Sequence, residues 1–181
     1  MAEKISLNVD RRPYLLQPDR PAEGELRQLR EGETETELSD VWKERAREAG
    51  ITMRRPSWNP NTVPAHVATL YAKEKGLDNQ FHHAAARALW EDGVNLGEMP
   101  VLKEIAEKVG LDWAELAERL GSEQHREEVF QESQAARDLG VGGTPTYRIG
   151  GELKFGDLNV EELQEMIRNT GGDGCIRDMG A

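Results

Sequence analysis

The 181-residue sequence holds a single cysteine, Cys175. One thiol excludes an internal disulfide, and dithiol–disulfide exchange by these residues alone would need two. Four scattered histidines do not make up for the thiolates that a Cys-based zinc site requires. Long apolar runs are also lacking, since no stretch approaches the ~20 residues of a bilayer span. The opening residues, MAEKISLNVDRR, carry no apolar h-region of a secretory signal. Basic charge is scarce: 23 Lys and Arg face 34 Asp and Glu, for a net charge of -11. An acidic surface repels phosphate backbones and anionic headgroups, so neither nucleic acid nor a membrane is expected as a partner. Taken together, these absences predict a cytoplasmic protein.

What is present suffices for a core. Four Trp and regularly spaced Leu, Val and Ile accompany a charged fraction of 31%. Ile5, Leu7 and Val9 alternate with polar residues, which predicts a strand over Ile5–Leu16, with Pro13 restricting it to an edge or strand end. Residues Gln17–Glu35, rich in Pro, Gly and Glu, read as a polar loop. From Glu37 to Leu139 the period becomes helical. Leu38, Val41, Trp42 and Ala49 mark a first apolar face. A second helix runs from Thr62 to Lys75 with Pro64 in its opening turn. Asp78 is placed to cap a third, Pro100 opens a fourth, Asp112 caps a fifth, and Ser122 caps a long charged sixth. The period then returns to two. Thr144–Ile149 reads as a strand, Gly150-Gly151 as a hairpin turn, and Leu153–Phe155 as the returning strand. Asn159 and Glu162 form a capping-box pattern ahead of a last helix, and the Gly-rich residues 171–181 read as a flexible tail.

Three segments carry a family resemblance: RRPYLLQPDRPAEG (Arg11–Gly24), NPNTVPAHVATLYAKEKG (Asn59–Gly76) and ARDLGVGGTPTYRIGG (Ala136–Gly151). In that order and spacing they resemble the FrnE-type branch of the DsbA family of thioredoxin-like proteins, which also includes 2-hydroxychromene-2-carboxylate isomerase-like members. The resemblance implies an α/β, thioredoxin-like (DsbA-type) fold with a large all-helical insertion. Residues 1–35 with 140–170 would form the sheet and C-terminal helix, and residues 36–139 the insertion. It further implies that Pro145 is cis and that Thr144 and Pro145 face the substrate. The backbone of Thr144 would there pair with an extended peptide, a protein-thiol substrate or glutathione. No other cofactor is implied, and no metal.

The family places a strand, a Cys-x-x-Cys turn and a helix ahead of the RRPYLLQPD segment. Here that segment begins near the first residue, so the sequence predicts a sheet lacking its first βα unit and its nucleophilic thiol. Three readings follow: a truncated thiol–disulfide oxidoreductase, a non-redox peptide-binding protein, or a relative of the glutathione-dependent isomerases and transferases. A homodimer that lends a strand would complete the sheet.

The remaining candidates each have a plainer role. Asn61 and Thr62 at a helix start are first of all caps, and Asn61 is the one assigned to the substrate side. His66, where the family has its Ala-His pair, is a candidate for lining a cavity, although a lone helical His is more often structural. Trp58, between Pro56 and Pro60, is the tryptophan best placed to line a groove, and most of the four tryptophans read as core. His82 and His83 point roughly 100° apart on a helix, the wrong geometry for one metal. Cys175, flanked by Asp173 and Asp178, has nothing near it in sequence to lower its pKa.

Overall fold

Between residues 40 and 121 the 3.6-residue spacing of apolar side chains becomes a run of short helices: α1 (Asp40–Glu48), α2 (Val63–Glu74), α3 (Asp78–Arg87), α4 (Met99–Lys108) and α5 (Trp113–Gly121). The computed structural model describes residues 9–170 and 177–178. They divide into two compact units, one spanning Asp19–Arg126, the other made of residues up to Pro18 with those from Glu127 onward.

The core of the first unit is built on small residues. Ala65, Ala68, Ala72, Ala85 and Ala106 let α2, α3 and α4 approach closely, and Tyr71, Phe81, Leu102 and Leu116 fill the space between them. Tyr71 is fully buried, and its hydroxyl donates to Glu115 Oε2 at 2.7 Å, so the oxygen carried inward with the ring is paired. Lys75 holds the same carboxylate at 2.7 Å. Arg119 lies 4.7 Å above the Tyr71 ring while forking onto Glu74 at 2.6 and 2.7 Å. Asp112 caps α5 as expected, its Oδ1 accepting from the Glu115 amide. Asp78 does not cap α3: Leu77 occupies the cap position and no side chain bonds there. After Arg87 the chain passes into a π-helical turn, Ala88–Asp92, which ends at Gly93 with φ of 71°. A small antiparallel pair, β1 (Glu25–Leu26) with β2 (Trp58–Asn59), stands where only loop was expected.

In the second unit, β3 (Thr146–Ile149) and β4 (Glu152–Phe155) form a hairpin in the register Ile149↔Glu152 and Thr146↔Phe155. The turn residues Gly150 and Gly151 have φ of 57° and 96°, the left-handed pair that a type I′ turn demands. Helix α6 (Glu123–Asp138) precedes the hairpin and α7 (Val160–Asn169) follows it. A complete capping box starts α7, with Asn159 and Glu162 each bonding the other's amide at 2.9 Å. Ile167 packs on Ile149. On its outer side β3 pairs with β5 (Arg177–Asp178), through Tyr147↔Asp178 and Arg148↔Arg177.

Three further sequence expectations need correction. The strand over Ile5–Leu16 is reduced, within the described residues, to a single bridge at Val9 (residues 5–8 lie outside them). The reason is visible in the partners. The Leu15 amide donates to Ser133 Oγ at 2.9 Å, its carbonyl accepts from Arg137, and the Tyr14 hydroxyl reaches the Val141 carbonyl at 3.2 Å. Side chains of α6 thus replace a ladder, and Pro13 is buried beside them. Secondly, α1 turns the face of Val41 and Trp42 to solvent, 63% and 40% exposed, and buries Ala46 instead. None of the four tryptophans is fully buried. Lastly, the tail is not wholly irregular, because β5 lies within it; the rest of it, with Cys175, lies outside the described residues.

The turn yields a test. A Cβ on Gly150 would lie 2.0 Å from Thr170 Cγ2, whereas one on Gly151 would meet nothing within 4 Å. Both positions need the left-handed conformation, which costs an L-residue ~1–2 kcal/mol. Thermal unfolding should show Gly151→Ala losing about that much and Gly150→Ala clearly more. Equal losses would mean that the Thr170 contact carries no weight.

Candidate functional site

Helix α6 ends at Asp138, a turn through Gly140 follows, and the loop Val141-Gly142-Gly143 carries the chain to a cis Thr144–Pro145 peptide bond immediately before β3. Hydrogen bonding around that bond is asymmetric. The Gly143 carbonyl accepts from Thr146 Oγ1 at 2.6 Å, and the Pro145 carbonyl accepts from the Gly156 amide at 3.0 Å. The carbonyls on both sides of Thr144 are therefore engaged. Among the described residues, the amide and carbonyl of Thr144 itself have no hydrogen-bond partner. Thr144 and Pro145 are half-buried, so these groups sit near the surface. Beside them lies an aromatic ring: a Cβ on Gly143 would stand 3.0 Å from Phe155 Cε2, and Phe155 is 66% exposed. Phe155 belongs to this candidate site and was not singled out in the sequence. Its signal there was weak, a lone aromatic at the end of a short returning strand.

Trp58, Asn61 and His66 belong to the other unit. Trp58 and Asn61 come together, each committed to a backbone partner. Trp58 Nε1 donates to the Glu23 carbonyl at 2.9 Å, and Asn61 Nδ2 to the Arg20 carbonyl at 2.8 Å. Asn61 Oδ1 also accepts from the Val63 amide at 3.0 Å, which makes Asn61, rather than Thr62, the side chain that caps α2. Arg20 returns a bond to the Asn59 carbonyl at 3.2 Å. Gly24 fits underneath with φ of 78°, in a space where a Cβ would lie 2.5 Å from Trp58 Nε1. These contacts fasten residues 20–26 to residues 58–63.

His66 is buried in α2, and its pKa is lowered to about 4, chiefly by burial and then by His82. The imidazole is therefore neutral at pH 7. Nearby in sequence, Glu33 is buried between Arg27 and Arg55, and Arg55 also donates to the Arg27 carbonyl at 2.8 Å. Burial pushes the Glu33 carboxyl up, but the Arg30 amide and the Arg27 and Arg55 guanidinium groups outweigh it and hold it below the usual range. This is a structural ion cluster, not an acid–base pair. A cleft of about 420 Å³ is lined by His83, Arg87, Glu91, Glu104 and Lys108 with Ile105 at its apolar side. Among the described residues, no group of three or more His, Cys, Asp or Glu side chains could hold a metal ion, and no helix is long and apolar enough to cross a membrane.

With the order of elements and the loop in view, the fold can be assigned: thioredoxin-like α/β, with a large helical insertion between the strands. The chain belongs to the DSBA-like thioredoxin domain family, whose sequence profile matches residues 2–168. Similar solved structures agree at the level of fold. One is 2-hydroxychromene-2-carboxylate isomerase, at TM-score 0.62 and 21% identity, covering 72% of this chain and 63% of that protein. This chain thus spans less than two thirds of the isomerase. Another is a putative protein disulfide isomerase from Nitrosomonas europaea, at TM-score 0.60 and 14% identity, covering 76% of this chain and 77% of that one. No curated protein matches the chain.

Neutral His66 generates a pH dependence. Its folded-state pKa of about 4 lies below the ordinary 6.5, so the unfolded chain takes up the proton first as pH falls. Its contribution to stability is full above about pH 6.5 and is lost on the way down to about pH 4, roughly 3 kcal/mol in all. Urea unfolding at stepped pH should give a shallower decline for His66→Gln than for the parent chain. Identical declines would remove His66 as the cause.

Proposed function

We propose that the chain binds extended polypeptides at the Thr144–Pro145 loop and supplies no redox dithiol of its own. One observation carries this: the two peptide groups of Thr144 are unpaired between carbonyls that are both engaged. Unpaired, adjacent N–H and C=O groups on a fixed loop are what an extended backbone recognises, as in strand addition. The Phe155 ring beside the loop offers an apolar contact to a side chain of the bound segment. With one cysteine in the sequence, a dithiol cycle needs a second thiol from elsewhere. In the fuller form of this reading the protein is a cytoplasmic thiol–disulfide oxidoreductase of the FrnE-type branch, with its Cys-x-x-Cys unit upstream of Met1. In the narrower form it is a binding protein without redox chemistry.

The binding reading is tested by titrating isotope-labelled protein with S-carboxymethylated insulin B chain, an extended peptide with no free thiol. The Thr144 amide signal should shift with saturation, together with Gly143 and Thr146. Shifts confined to residues 19–126, or none at all, would sink it. Saturable glutathione binding at the same amide without peptide binding would favour the glutathione-dependent isomerase relationship instead, which the fold shared with 2-hydroxychromene-2-carboxylate isomerase supports. Intact mass from the natural source separates the two forms. A mass above 20.3 kDa by ~3 kDa, the scale of one further strand and helix, is expected for the oxidoreductase. A mass of 20.3 kDa leaves the binding protein.

A further inference from the structure

A cleft of about 420 Å³ lies between α3 with its π-helical turn and α4, wholly inside the unit Asp19–Arg126. That volume is within the range of small-ligand sites. Only residues 93–98 join the π turn to α4, so the short link folds α4 back along α3. Ala84, Ala88, Val101 and Ile105 recur at helical spacing on the two sides and give the cleft an apolar floor. The π turn, a form often found at functional sites, closes the end nearest the link.

Charges are sorted along this floor. Glu91 and Asp92 stand at the link end, His83 and Lys108 at the opposite end, and Arg87 and Glu104 between them. Three carboxylates thus face one guanidinium over the first part of the cleft, and a lysine with no carboxylate beyond it closes the other. Few of these groups neutralise one another. Arg87 and Glu91 approach only to 3.8 Å. Glu104 and Lys108 are one turn apart, the spacing at which Lys103 and Glu107 pair on the same helix, yet they form no ion pair. Asp92 likewise has no side-chain partner among the described residues. Walls of unpaired charge would be costly to bury beneath packed protein, which makes the cleft a poor footprint for another helix or strand. A small ligand with its own charges at both ends meets no such penalty.

We propose that this cleft binds a short peptide through its free termini, the ammonium group at Glu91 and Asp92 and the carboxylate at Lys108 beside His83. Length supports the match. The wall rises ~12 Å from His83 to Glu91 at helical pitch, and an extended tripeptide spans ~10 Å. An aliphatic side chain in the middle of such a peptide would lie over Ala84, Ala88 and Ile105. The site is independent of the Thr144–Pro145 reading, because it lies in the other unit and recognises chain ends rather than a continuous backbone.

The test titrates the isotope-labelled full chain, at low ionic strength, with alanyl-leucyl-alanine, with its C-terminal amide and with its N-acetylated amide. The free tripeptide should shift the amide signals of Ala84, Ala88 and Ile105 saturably. The N-acetylated amide should bind about tenfold more weakly or worse, since two solvent-exposed charge contacts are lost. Lys108→Gln should weaken the free tripeptide about fivefold and leave the C-terminal amide unaffected, which a mere loss of structure would not do. Glu91→Gln/Asp92→Asn should weaken both peptides that keep a free amine. Absence of a saturable shift at the cleft, or shifts at Thr144 in its place, would overturn the proposal. So would equal binding of the free and blocked peptides, which leaves the apolar floor as the sole attraction, or an equal loss for acid and amide in Lys108→Gln.

Discussion

Buried peptide groups must be hydrogen-bonded, and in this chain the means of meeting that requirement change from segment to segment. A strand meets it by lying beside another strand. Residues 12–15 have no such neighbour in the described structure, and Ser133 and Arg137, four apart on α6, take the ladder's place. Ser133 Oγ accepts from the Leu15 amide, Arg137 donates to the Leu15 carbonyl, and Arg137 in turn donates to Ser133 Oγ at 2.9 Å. The same guanidinium stacks 4.8 Å above the Tyr14 ring, and Tyr14 is tied to Val141 at the start of the Thr144–Pro145 loop. The approach of α6 to that loop is thus pinned by side chains that stand in for a missing strand neighbour. Around the loop, among the described residues, the same accounting leaves the amide and carbonyl of Thr144 unpaired between two engaged carbonyls, and that arrangement gives the loop a recognisable chemistry.

The helical unit answers a different demand. Its helices are short, and isolated helices of ten or so residues are marginal in water, so packing must hold them. Alanines at the contacts bring the backbones together and leave room for one large ring from α2 and another from α3, Tyr71 and Phe81, both fully buried. Burying Tyr71 carries its hydroxyl inward as well, and Glu115 accepts from it. The carboxylate then draws in Lys75, while Arg119 covers the ring from outside. The charged groups there complete a buried aromatic residue. Glu33 with Arg27 and Arg55 plays the matching part for the loop between β1 and α1. Neither cluster is arranged for proton transfer, because each carboxylate is held ionised by cations and donors around it.

Much of this was legible in the sequence because it depends on local rules. The caps at Asp112 and Asn159, the Gly150-Gly151 turn and the helix ends at glycines follow from which residues tolerate which backbone angles. The expectations that failed depend on distant partners. Alternation at Ile5, Leu7 and Val9 implies a strand, but nothing local reveals that Ser133 and Arg137 satisfy the backbone a few residues on. Val41 and Trp42 have helical spacing, yet only the neighbours of α1 decide that Ala46 is the buried face. In the candidate site, Thr144 and Pro145 were named from the resemblance of the Ala136–Gly151 segment to the family's loop and strand, not from a local rule. Trp58 and Asn61 were visible as unusual residues, but their side chains turn out to be committed to the carbonyls of residues 20–23. Phe155 was missed because its position beside Gly143 comes from the hairpin register, which brings Phe155 opposite Thr146.

That register also bears on how a chain with one cysteine can belong to a family of thiol chemistry. In a dithiol enzyme two tasks share one site: a nucleophile reacts, and a backbone holds the substrate still. The second task requires only unpaired peptide groups on a rigid loop, and rigidity here comes from the hairpin, through the Gly156 amide on the Pro145 carbonyl and the Thr146 hydroxyl on the Gly143 carbonyl. None of those bonds involves sulfur. Holding a polypeptide is therefore separable from oxidising or reducing it, and a sequence can retain the first where the second depends on residues it does not contain.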